Sequence, residues 1–339
     1  MNKQVIWLLG LGGTVSMTSD ANASVRPTLG AQQIIDGISL SSDEIDLFAE
    51  DFLKLPSASL SLNDVISLAK RIDDLADEGA SGIVVTQGTD TLEEVAFGLS
   101  LLLGQRIPVA LSGAMRNPSQ LGADGPANIA AALKWVTSSA AANTGVTVVM
   151  DDEVHAARHV QKMHTHRIRS FASPGPGPIG AIVEGTPHMW TTEKTASYRL
   201  PSLNDDVHAA PVLIVQVALG DTPVLLENAE ALGYRGIVIN GMGAGHVPSE
   251  WVPVIERVAA RLPVILASRI HEGPVLSSTY GFSGSEKDLL ERGVISAQDL
   301  NGLKARILLS FALATHDDKD DLRSTLQNVI SSSGRSQVD

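Results

Sequence analysis

Seven short runs in this chain are apolar at almost every position rather than at alternate ones. They cover residues 5–9, 82–86, 109–112, 146–150, 212–218, 236–239 and 264–267. A strand of that kind must be covered on both faces, which points to a mostly parallel sheet flanked by helices. Helical patterns lie between the runs, at 61–77, 92–103, 124–137, 250–261 and 296–315. Asp124-Gly125-Pro126 reads as a helix start, an aspartate cap followed by proline in the first turn. At 339 residues the chain exceeds the size at which one core keeps growing, so two α/β domains are expected. The strand–helix alternation lapses in the polar, irregular stretch 188–211, which reads as an interdomain linker. The expected layout is therefore a domain at 1–187, a linker at 188–211, a second domain at 212–330 and a disordered tail at 331–339.

Composition removes several kinds of chemistry. The chain has no cysteine, so it has no disulfide scaffold, no thiolate nucleophile and no cysteine-ligated zinc or iron–sulfur site. With 25 Lys and Arg against 38 Asp and Glu, the formal charge is −13, which argues against a nucleic-acid partner. No run approaches the roughly 18–20 apolar residues of a membrane span. The start, Met1-Asn2-Lys3-Gln4 and then the apolar run, ends in glycines rather than in a cleavage region, so it reads as a first strand and not as an export signal. Together with the missing cysteines this fits a cytoplasmic protein that handles a small molecule.

Three segments carry chemistry-bearing residues. The first is Gly10-Leu11-Gly12-Gly13-Thr14-Val15, directly after a strand. A dinucleotide fingerprint wants a third glycine where Val15 stands. A tight structural turn accounts for the glycines. So does a close approach of backbone and substrate, with the Thr14 hydroxyl presented at the carboxyl edge of the sheet. The second is Thr86-Gln87-Gly88-Thr89-Asp90-Thr91-Leu92-Glu93-Glu94, between a strand and a helix. A helix cap at Asp90 or Thr91, boxed by Glu94, explains part of it and leaves a hydroxyl–carboxylate pair over. The third runs from Asp151 to His166 and holds four histidines near three acids. His155 and His159, four apart, would share one face if the segment were helical; the cluster raises a metal site, which the absence of HExxH-type spacing disfavours. Lys162 lies in the same segment, either as a solvated surface group or as a base shielded from water.

The order Gly12-Gly13-Thr14, Gly88-Thr89-Asp90-Thr91, Ser112-Gly113-Ala114-Met115-Arg116, Asp124-Gly125-Pro126, Lys162 and Lys304-Ala305-Arg306 resembles the bacterial-type L-asparaginase/glutaminase family of threonine amidohydrolases over nearly the whole chain. The resemblance implies a larger N-terminal and a smaller C-terminal α/β domain. It also implies a homotetramer built as a dimer of intimate dimers, with L-asparagine as substrate and neither metal nor organic cofactor. Position by position, Thr14 matches the nucleophile, and Thr89, Asp90 and Lys162 match the second threonine, the aspartate and the lysine. Asp90 also matches the group that meets the substrate α-amino group. Ala114 matches the residue whose carbonyl takes the amide nitrogen. Ser57 is the match to the serine that holds the α-carboxylate, with Ser59 close enough to compete. The N–H groups around Gly88 and Thr89 suit an oxyanion.

The chain also departs from the family pattern. Residues 15–48 contain no tyrosine, where the family carries one on the loop after the first threonine. Ala58 stands for a glutamine, and Gln87 for a histidine. A glycine-rich turn with two asparagines becomes Gly241-Met242-Gly243-Ala244-Gly245-His246. His246 is read either as structural or as reaching a neighbour's site, and Tyr280 and Glu286 as partner-supplied substrate contacts. These changes touch specificity more than the reacting groups. Glutamine preference and a silent amino-acid sensor therefore stand as alternatives to asparagine hydrolysis. An amidotransferase that serves tRNA is disfavoured by the acidic charge.

Overall fold

The computed structural model describes residues 3–13, 17–19, 25–27, 30–36, 45–191, 198–201, 207–316 and 318–332. The chain forms two compact α/β units, Met1–Arg199 and Leu200–Asp339. The division falls inside the stretch 188–211. Thr14 and the tail beyond residue 332 lie outside the described residues.

In the first unit the strands are β1 (Gln4–Gly10), β2 (Met17–Ser19), β3 (Val25–Pro27), β4 (Ile45–Asp51), β5 (Gly82–Thr86), β6 (Val109–Ser112), β7 (Val146–Met150), β8 (Glu153–Ala156), β9 (Gln161–Lys162), β10 (Phe171–Ala172), β11 (Gly180–Val183) and β12 (Thr186–Met189). The helices are α1 (Ala31–Asp36), α2 (Leu62–Asp77), α3 (Leu92–Leu103) and α4 (Gly125–Thr137). Among the described residues the larger sheet has the order β12-β11-β8-β7-β6-β5-β1-β4. Strands β4, β1, β5, β6 and β7 run parallel, and β8, β11 and β12 continue antiparallel.

Period-2 geometry explains the apolar runs. Ile6, Leu8, Val84 and Ala110 pack on one face with Ile129, Ala132 and Trp135 of α4. The residues between them, such as Leu9, Ile83, Val85 and Leu111, are also fully buried, and α3 packs on β6 and β7 and against α2. Helix α2 starts on a reciprocal capping box: Ser61 Oγ accepts from Asp64 N, and Asp64 Oδ2 accepts from Ser61 N at 2.7 Å.

Strand order places the ligand edge. From β1 the chain moves to β4 on one side, and then crosses back over β1 to β5, β6 and β7 on the other. Such a reversal leaves a crevice at the carboxyl ends of the strands, where α/β proteins bind ligands. The parallel register puts Gly10 opposite both Asp51 and Thr86, and Thr86 opposite Ser112. The segments holding Gly13, Ser57, Thr89 and Ala114 therefore all leave the same edge.

The second unit holds β13 (Val212–Gln216), β14 (Gly236–Gly241), β15 (Val264–Ser268) and β16 (Ile295–Ser296), a parallel sheet in that order. Its helices are α5 (Val224–Asn228), α6 (Val252–Ala259), α7 (Glu286–Glu291), α8 (Gly302–Thr315) and α9 (Lys319–Ser331). Ile237, Ile239 and Leu266 pack with Trp251 and Ile255 in its core.

Three local readings are corrected. The helix expected at 296–315 begins at Gly302, because Asn301 caps it through Lys304 N while Ile295 and Ser296 pair with β15. His155 belongs to strand β8, so it does not share a helical face with His159. Asp124 makes no side-chain cap on α4.

Candidate active site

Two backbones pass at contact where β1 and β5 end. Leu11 N bonds Thr86 O at 2.8 Å, and Leu53 N bonds Gly10 O at 3.0 Å, so the ladders continue beyond the strands. Gly13 has φ +90°, and a Cβ placed on it would lie 2.0 Å from Gly88 N. A Cβ on Gly88 would lie 2.5 Å from Ser57 Oγ. Glycine is needed at both positions, for space at both and for conformation at the first. The residue before Thr14 is thereby held against the Gly88–Thr89 segment.

The second motif forms no helix cap. Neither Gly88 nor Thr91 has a capping side-chain bond, and Thr91 Oγ1 instead donates to Ser57 O at 3.0 Å. Thr89 and Asp90 are left for other work. Lys162 Nζ donates to Thr89 Oγ1 at 2.8 Å and to Asp90 Oδ1 at 2.9 Å. Ser57 Oγ accepts from Asp90 N at 3.3 Å and donates to Asp90 Oδ2 at 3.4 Å. Thr89 and Ser57 are buried; the Lys162 side chain is 16% exposed and that of Asp90 65%. A threonine hydroxyl, an ammonium and a carboxylate thus form one bonded group, open on the Asp90 side. Ser57, rather than the exposed Ser59, joins it.

Ala114 is buried two residues past β6. Asp124 acts behind it: its carboxylate accepts from Met115 N at 2.9 Å and from Arg116 N at 2.8 Å. Asn128 bonds both Asp124 and, at 3.0 Å, the Gly113 carbonyl. This polar bracket fixes the exit of β6. Asp124 was legible as a helix start and as part of the Asp124-Gly125-Pro126 motif; Asn128 had no signal of its own in the sequence.

Lys162 comes from the two-stranded pair β9–β10, where it faces Phe171. Its own N–H goes to Glu93 Oε2 on α3, at 3.3 Å. Among the described residues, no group of three or more His, Asp and Glu is placed to hold a metal ion.

In the second unit His246, Tyr280, Phe282 and Glu286 gather. His246 Nε2 lies 3.1 Å from Glu286 Oε2, and its ring meets Tyr280 and Phe282 edge-on at 4.8 and 5.0 Å. Glu286 is fully buried, and its Oε1 accepts from Tyr280 N and Thr279 N. Burial pushes this carboxyl up, yet the N–H groups of Tyr280, Glu286 itself and Thr279, together with the His246 ring, outweigh it and hold the pKa below its ordinary 4.5. Both oxygens of Glu286 serve this loop, while Tyr280 and Phe282 are exposed.

Comparison with known proteins now decides the family. Residues 5–195 match the family described as asparaginase, N-terminal, and residues 211–326 the glutaminase/asparaginase C-terminal domain. This chain belongs to the asparaginase family. A probable L-asparaginase of Deinococcus radiodurans is 33% identical, over 93% of this chain and 95% of that protein. A glutaminase-asparaginase of Acinetobacter glutaminasificans is 28% identical, over 96% of this chain and all of that protein. The crystal structure of a probable cytoplasmic L-asparaginase from Campylobacter jejuni superposes with a TM-score of 0.83 at 31% identity, covering 96% of this chain and 99% of that one.

Two outcomes follow from the asparaginase geometry. Gly13→Ala places a methyl on backbone atoms at positive φ and is expected to cost more than the roughly 1–2 kcal/mol of the left-handed conformation alone. Gly175→Ala, at φ +86° with nothing within 4 Å, carries only the conformational part. Denaturant midpoints of the two variants check the difference, and equal losses would remove the close-approach argument. For Glu286 the folded pKa is depressed, so its stabilisation is present above about 4.5 and is lost as pH falls through the folded value. The stability gap between the native chain and Glu286→Gln is expected to shrink below pH 4.5. A gap that stays constant from pH 7 to 3.5 would contradict it.

Proposed function

We propose that this protein is an L-asparaginase, hydrolysing the side-chain amide of L-asparagine to L-aspartate and ammonia by threonine nucleophilic catalysis. The observation that carries the reading is the Lys162 ammonium within hydrogen-bond distance of both Thr89 and Asp90, beside the glycine contact that precedes Thr14. The family and the names of its relatives support the substrate class.

In this reading the Thr14 hydroxyl adds to the amide carbon, the C–N bond breaks, and ammonia leaves with a proton. A water then attacks the ester, releases aspartate and restores the hydroxyl. A free hydroxyl is a weak nucleophile and needs a neighbouring base. Thr89 and Lys162, bonded to each other, supply a path for moving its proton. Asp90 keeps an open carboxylate for the substrate α-amino group. Ser57 takes the α-carboxylate, the Ala114 carbonyl takes the amide nitrogen, and the N–H groups at Gly88 and Thr89 face the developing oxyanion. The reading requires no metal or organic cofactor. It extends to a cytoplasmic homotetramer, a dimer of intimate dimers, with no nucleic-acid or membrane partner. Among the described residues no helix is long and apolar enough to cross a membrane.

A steady-state ammonia assay with L-asparagine, D-asparagine and L-glutamine tests the activity. L-Asparagine is expected to be the best substrate, and Thr14→Ala, Thr89→Val and Lys162→Met each to lose on the order of 10³-fold or more in kcat while still folding. Full activity in Thr14→Ala and Thr89→Val would sink the threonine mechanism. Binding of L-aspartate by calorimetry with no turnover of any amide would instead favour an amino-acid sensor, which the missing loop tyrosine and Ala58 would suit. Light scattering is expected to give the mass of four chains, and a monomer would remove the tetramer.

A further inference from the structure

The strand pair that carries Lys162 is too small to place itself. It has two paired positions, Lys162 opposite Phe171 and Gln161 opposite Ala172, and it stands apart from the eight-stranded sheet. An isolated two-stranded hairpin is marginal in water. A lysine side chain also has four rotatable bonds, so the position of Nζ depends on where its backbone is held.

Strand β8 grips this hairpin with two side chains. His155 is 1% exposed, and its neighbours in the sheet are β7 and β11. His155 Nδ1 lies 3.0 Å from Ser173 Oγ, and Ser173, also buried, directly follows β10. Glu153 Oε2 stands 3.5 Å from His155 Nε2, and the other oxygen of Glu153 accepts from Arg169, within the same hairpin. In the tautomer that carries its proton on Nε2, Nδ1 is the acceptor for the Ser173 hydroxyl. A chain of contacts results: Glu153 and His155 on the rigid sheet, then Ser173, then Phe171 one residue beyond Ala172, then Lys162 across the ladder.

We propose that His155 is a positioning residue for Lys162: through Ser173 it holds β9–β10 where the ammonium reaches both Thr89 and Asp90. This assignment rests on the amidohydrolase reading, since it gives the buried histidine of the Asp151–His166 cluster a role in that same site. The imidazole touches no reacting atom. A displacement of about 1 Å at a reacting group is enough to lower turnover by about 10²-fold, so the clasp is expected to act on kcat more than on KM.

The test compares His155→Leu, His155→Asn, Ser173→Ala and the double variant His155→Leu/Ser173→Ala in the full chain. His155→Leu and Ser173→Ala are each expected to lower kcat for ammonia release about 10- to 100-fold, with KM changed less than about threefold. The double variant is expected to be no worse than the poorer single one, because both break one contact. His155→Asn, whose amide oxygen can accept from Ser173 in place of Nδ1, is expected to recover kcat to within about fourfold of the native chain. Ser173→Ala keeps the test open should His155→Leu fail to fold.

A second readout does not depend on turnover. Lys162 acetylation by acetic anhydride, followed by peptide mass spectrometry, is expected to be slow in the native chain and several-fold faster in both single variants. Native kcat in the single variants, additive losses in the double variant, or unchanged Lys162 reactivity would each overturn the proposal. Absence of amide hydrolysis in the native chain, with Lys162 still released by the variants, would remove the amidohydrolase reading and leave the clasp.

Discussion

Three stretches of backbone meet at Gly13, Gly88 and Ser57 with no space for one more methyl group, and the rest of the site is arranged around that meeting. The contact arises because β1 lies between β4 and β5 in parallel register, so that the exits of all three strands leave at one level. Each exit would otherwise be an independent loop. With Gly13 packed on the Gly88 backbone and the Ser57 side chain closed on Gly88, they become one rigid corner, and the side chains that follow Gly88 inherit its precision. The parallel sheet supplies the edge, and the glycines allow the edges to close.

On that corner the polar groups are matched rather than merely crowded. Ser57 both donates to and accepts from Asp90, Thr91 donates to Ser57, and Lys162 divides its ammonium between Thr89 and Asp90. A buried hydroxyl without a partner carries a desolvation cost of about 1–3 kcal/mol, and Thr89 avoids it through Lys162. The ion pair itself sits half in water: Lys162 is largely covered and Asp90 largely exposed. Water screens such a pair, so its worth to stability is small. Its consequence is geometric, one carboxylate oxygen held by the ammonium and the other by a weaker serine bond, with the Asp90 side facing solvent.

The central sheet was legible in the sequence because strands buried on both faces cannot hide: residues 5–9, 82–86, 109–112 and 146–150 are apolar at almost every position. Strand β4 was not legible, since Ile45-Asp46-Leu47-Phe48-Ala49-Glu50-Asp51 lies at the sheet edge and mixes three acids with its apolar residues. The antiparallel β8, β11 and β12 are four residues each, too short for a period to declare itself. His155 and His159 imitated a helical face because i and i+4 spacing says nothing about whether a helix exists. Asp124 looked like a cap because its place before Gly125-Pro126 is right for one, yet its carboxylate turns back to Met115 and Arg116. The structure brings Thr89, Asp90, Lys162 and Ser57 together, and the sequence could name these residues but not the bonds that join them. Those bonds span 33 to 73 positions and have no local signature.

The same distance in sequence explains why the polar residues fall into two kinds. Asp124 and Asn128 on α4, and Glu93 on α3, hold main-chain groups of the segments that carry the site: the N–H of Met115, Arg116 and Lys162 and the carbonyl of Gly113. Helices and sheet strands are the stiff parts of the fold, so a loop tied to them takes on their order. Thr89 and Asp90, by contrast, direct their side chains at Lys162 and at the open edge. A segment whose backbone is satisfied from behind can present side chains in front without rearranging to do so, and preorganisation of that kind is what makes a fixed dipole or charge effective on a developing charge. The buried polar residues that hold these main-chain groups are therefore part of the site's rigidity.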